Sequence, residues 1–243
     1  MIKPENFGSI SHLSPPTPEM LKNINAREKA YWIIRDKIIY MDLKPGEPVS
    51  DKLLAQQLEM SRTPVREALI LLSAYNMVIM KPQIGTFVTP IDSEWVAMEQ
   101  FSRLTMEKEI IRQACARDTE KLYLSYDKNI ARFDHYEQNE SPTRIRTLHE
   151  LDNSFHSLAF AACGRINSFF HMHSYMQHIE RLRVLTLMLN TDQGISNDHR
   201  LIAEAVRVKD VNKALQYLEE HLSIFKESVQ TAQTKYPEYF VLG

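Results

Sequence analysis

Ser61-Arg62-Thr63-Pro64-Val65-Arg66-Glu67-Ala68-Leu69 reads as a helix that enters a DNA major groove by its first turn. Thr63 suits the N-cap, and Pro64 fits the first helical position, where a missing N–H leaves nothing unpaired. Val65, Ala68, Leu69 and Leu72 recur at i, i+3, i+4 and i+7, which defines one buried stripe. Arg62 and Arg66 stand at the helix entrance and off that stripe, where basic residues meet base edges. An ordinary capped amphipathic helix with two solvated arginines has the same local pattern, so the neighbouring segments decide.

Upstream, Ala30, Ile33, Ile34 and Ile38 share one helical face, and Lys44-Pro45-Gly46-Glu47-Pro48 stops that helix with a turn. Ser50 then caps a short helix whose Leu54, Ala55 and Leu58 point inward. Glu59-Met60-Ser61 turns into the recognition helix, so two short helices are joined as a helix-turn-helix. Downstream the period changes. Met77–Met80 and Thr86–Thr89 are β-prone, and Lys81-Pro82-Gln83-Ile84-Gly85 joins them. Three helices followed by a hairpin make the winged form of the motif. Gly85 suits a wing tip, because its backbone can approach a phosphate or a groove with no side chain in the way.

The chain has 243 residues, enough for two domains, and a formal net charge of -2, so any nucleic-acid contact is a local patch. Residues 26–90 carry nine basic side chains against seven acidic ones, the direction a DNA-binding head takes. Cys115 and Cys163 have no paired spacing and read as free thiols in a reducing, cytoplasmic setting. No apolar run approaches the roughly 20 residues that span a bilayer, so no membrane partner is expected. Residues 1–24, with Ser14-Pro15-Pro16-Thr17-Pro18, read as a mobile arm ahead of a DNA-binding domain at 25–90.

From Pro90 onward the pattern is helical throughout. Helices are expected at Trp95–Arg117, from Thr119 to about Asn139, from Ser141, from Asn167 to about Asn190, from Ser196, and from Asp210 to about Gln233. The fold class is therefore mainly α: a winged helix-turn-helix followed by an antiparallel six-helix bundle at 91–235, with residues 236–243 as a tail.

Four polar residues point into that bundle. Asp152 and His156 sit four apart on one face, His199 shares a face with Ile202 and Val206, and His221 with Ala214, Leu218 and Phe225. Burying four such groups unpaired would cost several kcal/mol. Hydrogen-bonded core histidines beside an Asp–His ion pair would satisfy them. So would a shared cation, since three imidazoles and a carboxylate are a common shell for divalent transition metals. His171 and His173 diverge on their helix, and His12, His135, His149 and His178 show no comparable partnership.

The first ninety residues resemble the GntR family of bacterial transcription regulators, through Leu43-Lys44-Pro45-Gly46-Glu47, Leu54-Ala55, Ser61–Leu69 and Gly85-Thr86-Phe87-Val88. The helical part resembles the FCD effector domain of the FadR branch, through Arg103-x-x-Met106-Glu107, Asp152-x-x-Phe155-His156, His199-Arg200-x-Ile202-x-x-Ala205 and His221-Leu222. Six effector helices would place the chain with the shorter, VanR-like members. The resemblance implies that Arg62 and Arg66 read bases, while Lys52, Thr63 and the wing around Gly85 hold phosphate or groove. It also implies that Asp152, His156, His199 and His221 bind metal, zinc in the first instance, with nickel or manganese as alternatives. Asp198 stands where the family has Glu before His199.

The expected function is a homodimeric repressor that reads a pseudo-palindromic operator and answers to a small organic acid. Arg103 is the candidate clamp for that acid's carboxylate, because a guanidinium matches it bidentately. Pairing with Glu107 is the alternative for Arg103. Two rivals remain: a metal-dependent hydrolase, which lacks the H-E-x-x-H glutamate as general base, and a constitutive DNA-binding protein with a purely structural metal.

Overall fold

The computed structural model describes residues 24–117, 119–189, 194–223 and 225–241, with backbone alone at 225–228. The arm expected at the N-terminus lies, up to residue 23, outside the described residues. The chain forms two compact units. One ends at Pro90 and also takes in His173–Gln177; the other comprises Ile91–Met172 and His178–Gly243.

The first unit contains α1 (Ala26–Ile39), β1 (Pro48–Val49), α2 (Asp51–Gln57), α3 (Arg62–Ala74), β2 (Val78–Lys81) and β3 (Gly85–Val88). Asn25 caps α1 through Glu28 N–H, and Ser50 caps α2 through Leu53 N–H. Helix α1 buries Ala30, Ile34 and Ile38 completely and packs on α3, whose Val65, Ala68, Leu69 and Leu72 stripe is equally buried. The N-cap of α3 is Ser61, not Thr63, and it makes no side-chain capping bond. Pro64 is thus the third helical residue. Its missing N–H still falls among the four that find no partner inside a helix.

The wing is three-stranded, in the order β1-β3-β2, with both pairings antiparallel. Lys81 faces Gly85, so the tip is Pro82-Gln83-Ile84. Gly85 has φ +138°, outside the range side-chain-bearing residues favour, which accounts for glycine where the chain turns back.

The second unit contains α4 (Ser93–Cys115), α5 (Glu120–Gln138), α6 (Arg144–Ala162), α7 (Ile166–Tyr175), α8 (Gln177–Met188), α9 (Ile195–Arg207), α10 (Val211–Ser223) and α11 (Phe225–Lys235). Helix α5 packs on α6 and α9, and α10 packs on α9 and α4. The described residues give eight segments where six helices are expected: the fourth is interrupted beside Met176, and α10 and α11 lie on either side of residue 224, which is outside the described residues. At the first break the Glu99 carboxylate accepts from the backbone N–H groups of His178 (3.3 Å) and Ile179 (2.8 Å). In a continuous helix those donors would bond back into the preceding turn. The tail is tied down. Pro237–Tyr239 form a 3-10 turn, and Phe240 pairs with Ile91.

Burial pushes the Glu99 carboxyl up from 4.5 to about 7. A raised folded-state value means that this group favours folding at low pH, and that its contribution is lost as pH rises from about 4.5 to 7. Glu99→Gln keeps a capping oxygen without the charge. Urea unfolding between pH 5 and 8 should therefore show the wild type losing stability relative to the variant. Parallel profiles would exclude Glu99 as the titrating group.

Candidate functional site

Asp152 and His156 project from α6, His199 from α9 and His221 from α10. Their ligand atoms lie within 4.8 Å of one another. Asp152 Oδ1 is 3.0 Å from His199 Nε2, 3.7 Å from His156 Nε2 and 3.8 Å from His221 Nε2. His156 Nε2 and His221 Nε2 are 3.2 Å apart. Donors about 2.1 Å from a tetrahedral ion are separated by about 3.4 Å, the middle of these values. The Phe155 ring stacks on His199 with centroids 3.9 Å apart and fixes its plane.

Outer groups set the tautomers. Glu107 Oε2 lies 2.5 Å from His156 Nδ1, and Asp198 Oδ2 lies 3.3 Å from His221 Nδ1. With those Nδ1 protons donated to the carboxylates, both Nε2 atoms present lone pairs to each other. Lone pairs at 3.2 Å repel unless a proton or a cation lies between them. Asp152 Oδ1 and His199 Nε2 are also buried without a hydrogen bond, despite their 3.0 Å approach. Three imidazole nitrogens and one carboxylate oxygen thus converge on a single point. The donor set fits a divalent transition metal.

The surrounding charge is dense. Burial alone would raise the Glu107 carboxyl, but His156 and Arg103 hold it well below the usual range. Burial acts on Asp152 in the same direction and is overcome by Arg183, His156 and His199. Burial pulls His199 down to about 3, so its imidazole is neutral. Burial would lower His156 as well, yet the facing Glu107 raises it. Arg183 also donates to Asn153 Oδ1 (2.7 Å) and Glu180 Oε1 (2.5 Å), and so ties α8 to α6.

Arg103 lies beside the site. Its Nε donates to Glu107 Oε1 at 2.7 Å, and its Nη2, 3.9 Å from Asp152 Oδ2, is buried with no hydrogen bond. Next to His156 a cavity of about 10 Å³, room for about one water, is lined by Tyr126, Phe160 and Leu218 among others. Glu107, Asp198, Glu180 and Arg183 were not identified as site residues from sequence, although Arg103 and Glu107 at i, i+4 signalled a pair. His149 and His178 were passed over, yet both are buried: His149 Nε2 lies 2.9 Å from Glu180 Oε2, and His178 Nδ1 accepts from Asp92 N–H at 3.1 Å.

In the first unit, Lys52, Arg62, Thr63, Arg66 and Gly85 are all exposed. Arg62 Nη2 donates to Asp51 Oδ1 at 3.0 Å and Oδ2 at 2.9 Å, which joins the entrance of α3 to the first turn of α2. Lys52 is the next residue of that turn. Arg66 stands one turn beyond Arg62 on the same helix edge.

A winged helix-turn-helix followed by a helical unit with an inward-facing Asp/His cluster defines a class of DNA-binding regulators. Residues 26–88 match the profile described as bacterial regulatory proteins, gntR family, and residues 101–223 match the FCD domain. The chain belongs to the GntR family of transcription regulators and carries an FCD effector domain. It is 24% identical over 216 residues to the HTH-type transcriptional repressor RspR of Escherichia coli K12, covering 88% of this chain and 92% of that one. It is 29% identical over 215 residues to an HTH-type regulator from an unstable DNA locus of Streptomyces ambofaciens, covering 88% and 89%. Among solved structures, E. coli McbR/YncC superposes with a TM-score of 0.72 at 16% identity, covering 88% of this chain and 99% of that one. A GntR regulator of Rhodococcus sp. RHA1 gives 0.67 at 21% identity, covering 84% and 96%. These likenesses establish the fold. Among the described residues no helix is long and apolar enough to cross a membrane.

Proposed function

We propose that the chain is a cytoplasmic, homodimeric repressor of a pseudo-palindromic operator, responsive to a small carboxylic acid and holding one divalent transition metal in its helical unit. Asp152, His156, His199 and His221 hold the metal, while Glu107 and Asp198 orient two of the imidazoles. The observation that carries this reading is the convergence of three imidazole nitrogens and the Asp152 Oδ1 within 4.8 Å of one another, with Asp152 Oδ1 and His199 Nε2 buried without a hydrogen bond. When bound, such a cation supplies a Lewis-acidic position for a carboxylate oxygen. Arg103 Nη2, 3.9 Å from Asp152 Oδ2, supplies a buried donor that makes no hydrogen bond. The cavity beside His156 admits about one water, so an acid seated in it displaces side chains that line it. That displacement is a natural origin for coupling to the DNA-binding unit. The repressor sense follows the relative RspR, whose description is that of a repressor.

The deciding experiment measures binding to DNA from upstream of the protein's own gene, with the metal-loaded and chelated forms and a panel of mono- and dicarboxylates. An acid should change operator affinity by roughly 5–150-fold in the loaded form alone. Equal effects after chelation would leave the metal a structural role only. On the DNA side, Arg62→Ala and Arg66→Ala should each lose about 1–3 kcal/mol of discrimination against wrong bases with the fold intact. Lys52→Ala should weaken all duplexes alike and reduce the salt slope by about one. Unchanged gel shifts by the Arg62/Arg66 double variant would remove α3 from the recognition role.

A further inference from the structure

Arg62 is 64% exposed at the entrance of α3, yet its guanidinium is not loose. Asp51, at the first turn of α2, holds it through Nη2 alone, with both carboxylate oxygens within 3.0 Å. Nη1 and Nε are not engaged by Asp51. An acid on a surface that must approach phosphates is unfavourable for DNA affinity as such. As a stability device an exposed pair of this kind contributes little, about 0–1 kcal/mol. Neither affinity nor stability accounts for the contact, so its use lies elsewhere.

We infer that Asp51 is a positioning residue that aims Arg62 at a base edge and keeps it off the backbone. The inference rests on the reading of Arg62 as a base-reading residue. A long, unrestrained arginine at the rim of a groove reaches whichever phosphate is nearest, which adds sequence-independent affinity. With a carboxylate against Nη2 the guanidinium orientation is restricted, and a phosphate brought to it meets the Asp51 charge at close range. A guanine edge offers O6 and N7 as neutral acceptors and meets no such repulsion. The carboxylate therefore biases one side chain toward bases and against phosphate. It raises the specificity ratio rather than the affinity.

The test uses the full-length protein and two duplexes: one selected by the wild type from a random-sequence pool, and a scrambled duplex of the same composition. Asp51→Asn should bind the scrambled duplex more tightly, with a salt slope steeper by about one phosphate contact. Its ratio of selected to scrambled affinity should fall about 5-fold, the low end of what one bidentate base contact discriminates. Asp51→Glu, which keeps the charge, should restore most of the ratio. In the Arg62→Ala background, Asp51→Asn should lower the ratio no further. A ratio unchanged in Asp51→Asn while Arg62→Ala lowers it, or additive losses in the double variant, would overturn the proposal alone. A ratio unchanged in Arg62→Ala would overturn both the base-reading role and this proposal. Circular dichroism of each variant separates loss of folding from loss of specificity, and Asp51→Glu carries the comparison should the asparagine variant fold poorly.

Discussion

Asp152→Ala should be the most damaging single substitution in the helical unit, lowering folding stability by about 3–5 kcal/mol even in chelator. The Asp152 carboxylate faces the Arg183 guanidinium directly and has Arg103 Nη2 at 3.9 Å, and both arginine side chains are largely buried. Removing it leaves two buried cations short of a counter-charge, on top of any loss of metal. Chemical denaturation in EDTA isolates this electrostatic component. A loss below about 1 kcal/mol there would mean that Glu107 and Glu180 suffice to neutralise the arginines. A companion Asp152→Ala/Arg183→Met variant should recover part of the stability, because the pair is removed together.

His199→Leu should behave in the opposite way. Both His199 nitrogens are buried without a hydrogen bond, and the ring is fully buried against Phe155. An unsatisfied buried polar group costs about 1–3 kcal/mol. In chelator the leucine variant should thus be at least as stable as the wild type. With metal present the order reverses. Wild type at a thousand-fold excess over the dissociation constant gains about 4 kcal/mol, and the variant gains nothing. Elemental analysis should give about one metal per chain for the wild type and none for His199→Leu. An equal rise in melting temperature for both proteins on adding zinc, nickel or manganese would remove His199 from the ligand set.

Much of the fold was legible because its signals are local. The α3 stripe at Val65, Ala68, Leu69 and Leu72 is a matter of helical period, and Ser50 is a cap whose side chain reaches only three residues ahead. The cap of α3 was misplaced by two residues because Ser61 and Thr63 are both suitable caps, and only the position of the turn separates them. Strand β1, two residues long, has no period to detect and exists through its pairing with Phe87 and Thr86. The break before α8 was not legible at all, because its cause is Glu99, 80 residues earlier than the Ile179 amide it accepts from. The same division runs through the proposed metal site. The ligands stood out as polar residues on apolar faces, whereas Glu107, Asp198 and Arg183 are defined by what other helices bring to them. In sequence Arg183 looks like an ordinary surface charge, while Glu107 shows only as the i, i+4 neighbour of Arg103 and Asp198 only as the residue before His199.

The junction of α4 with α8 gives this protein an optical property of its own. The chain has two tryptophans, Trp32 in the DNA-binding unit and Trp95 in the effector unit. Trp32 is nearly enclosed, at 7% exposure, with Arg35 over its ring; Trp95 is 43% exposed and stacks on His178 with centroids 5.9 Å apart. Burial and the adjacent Arg181 push His178 down to about 3, so the imidazole beside Trp95 is uncharged and does not quench it as a protonated ring would. The two indoles accordingly emit from different environments, one apolar and one wet. Trp95 sits on the first turn of α4, a few residues after the first unit ends at Pro90. Acrylamide accessibility and emission wavelength should therefore report any movement of α4 against α8 in solution without a label.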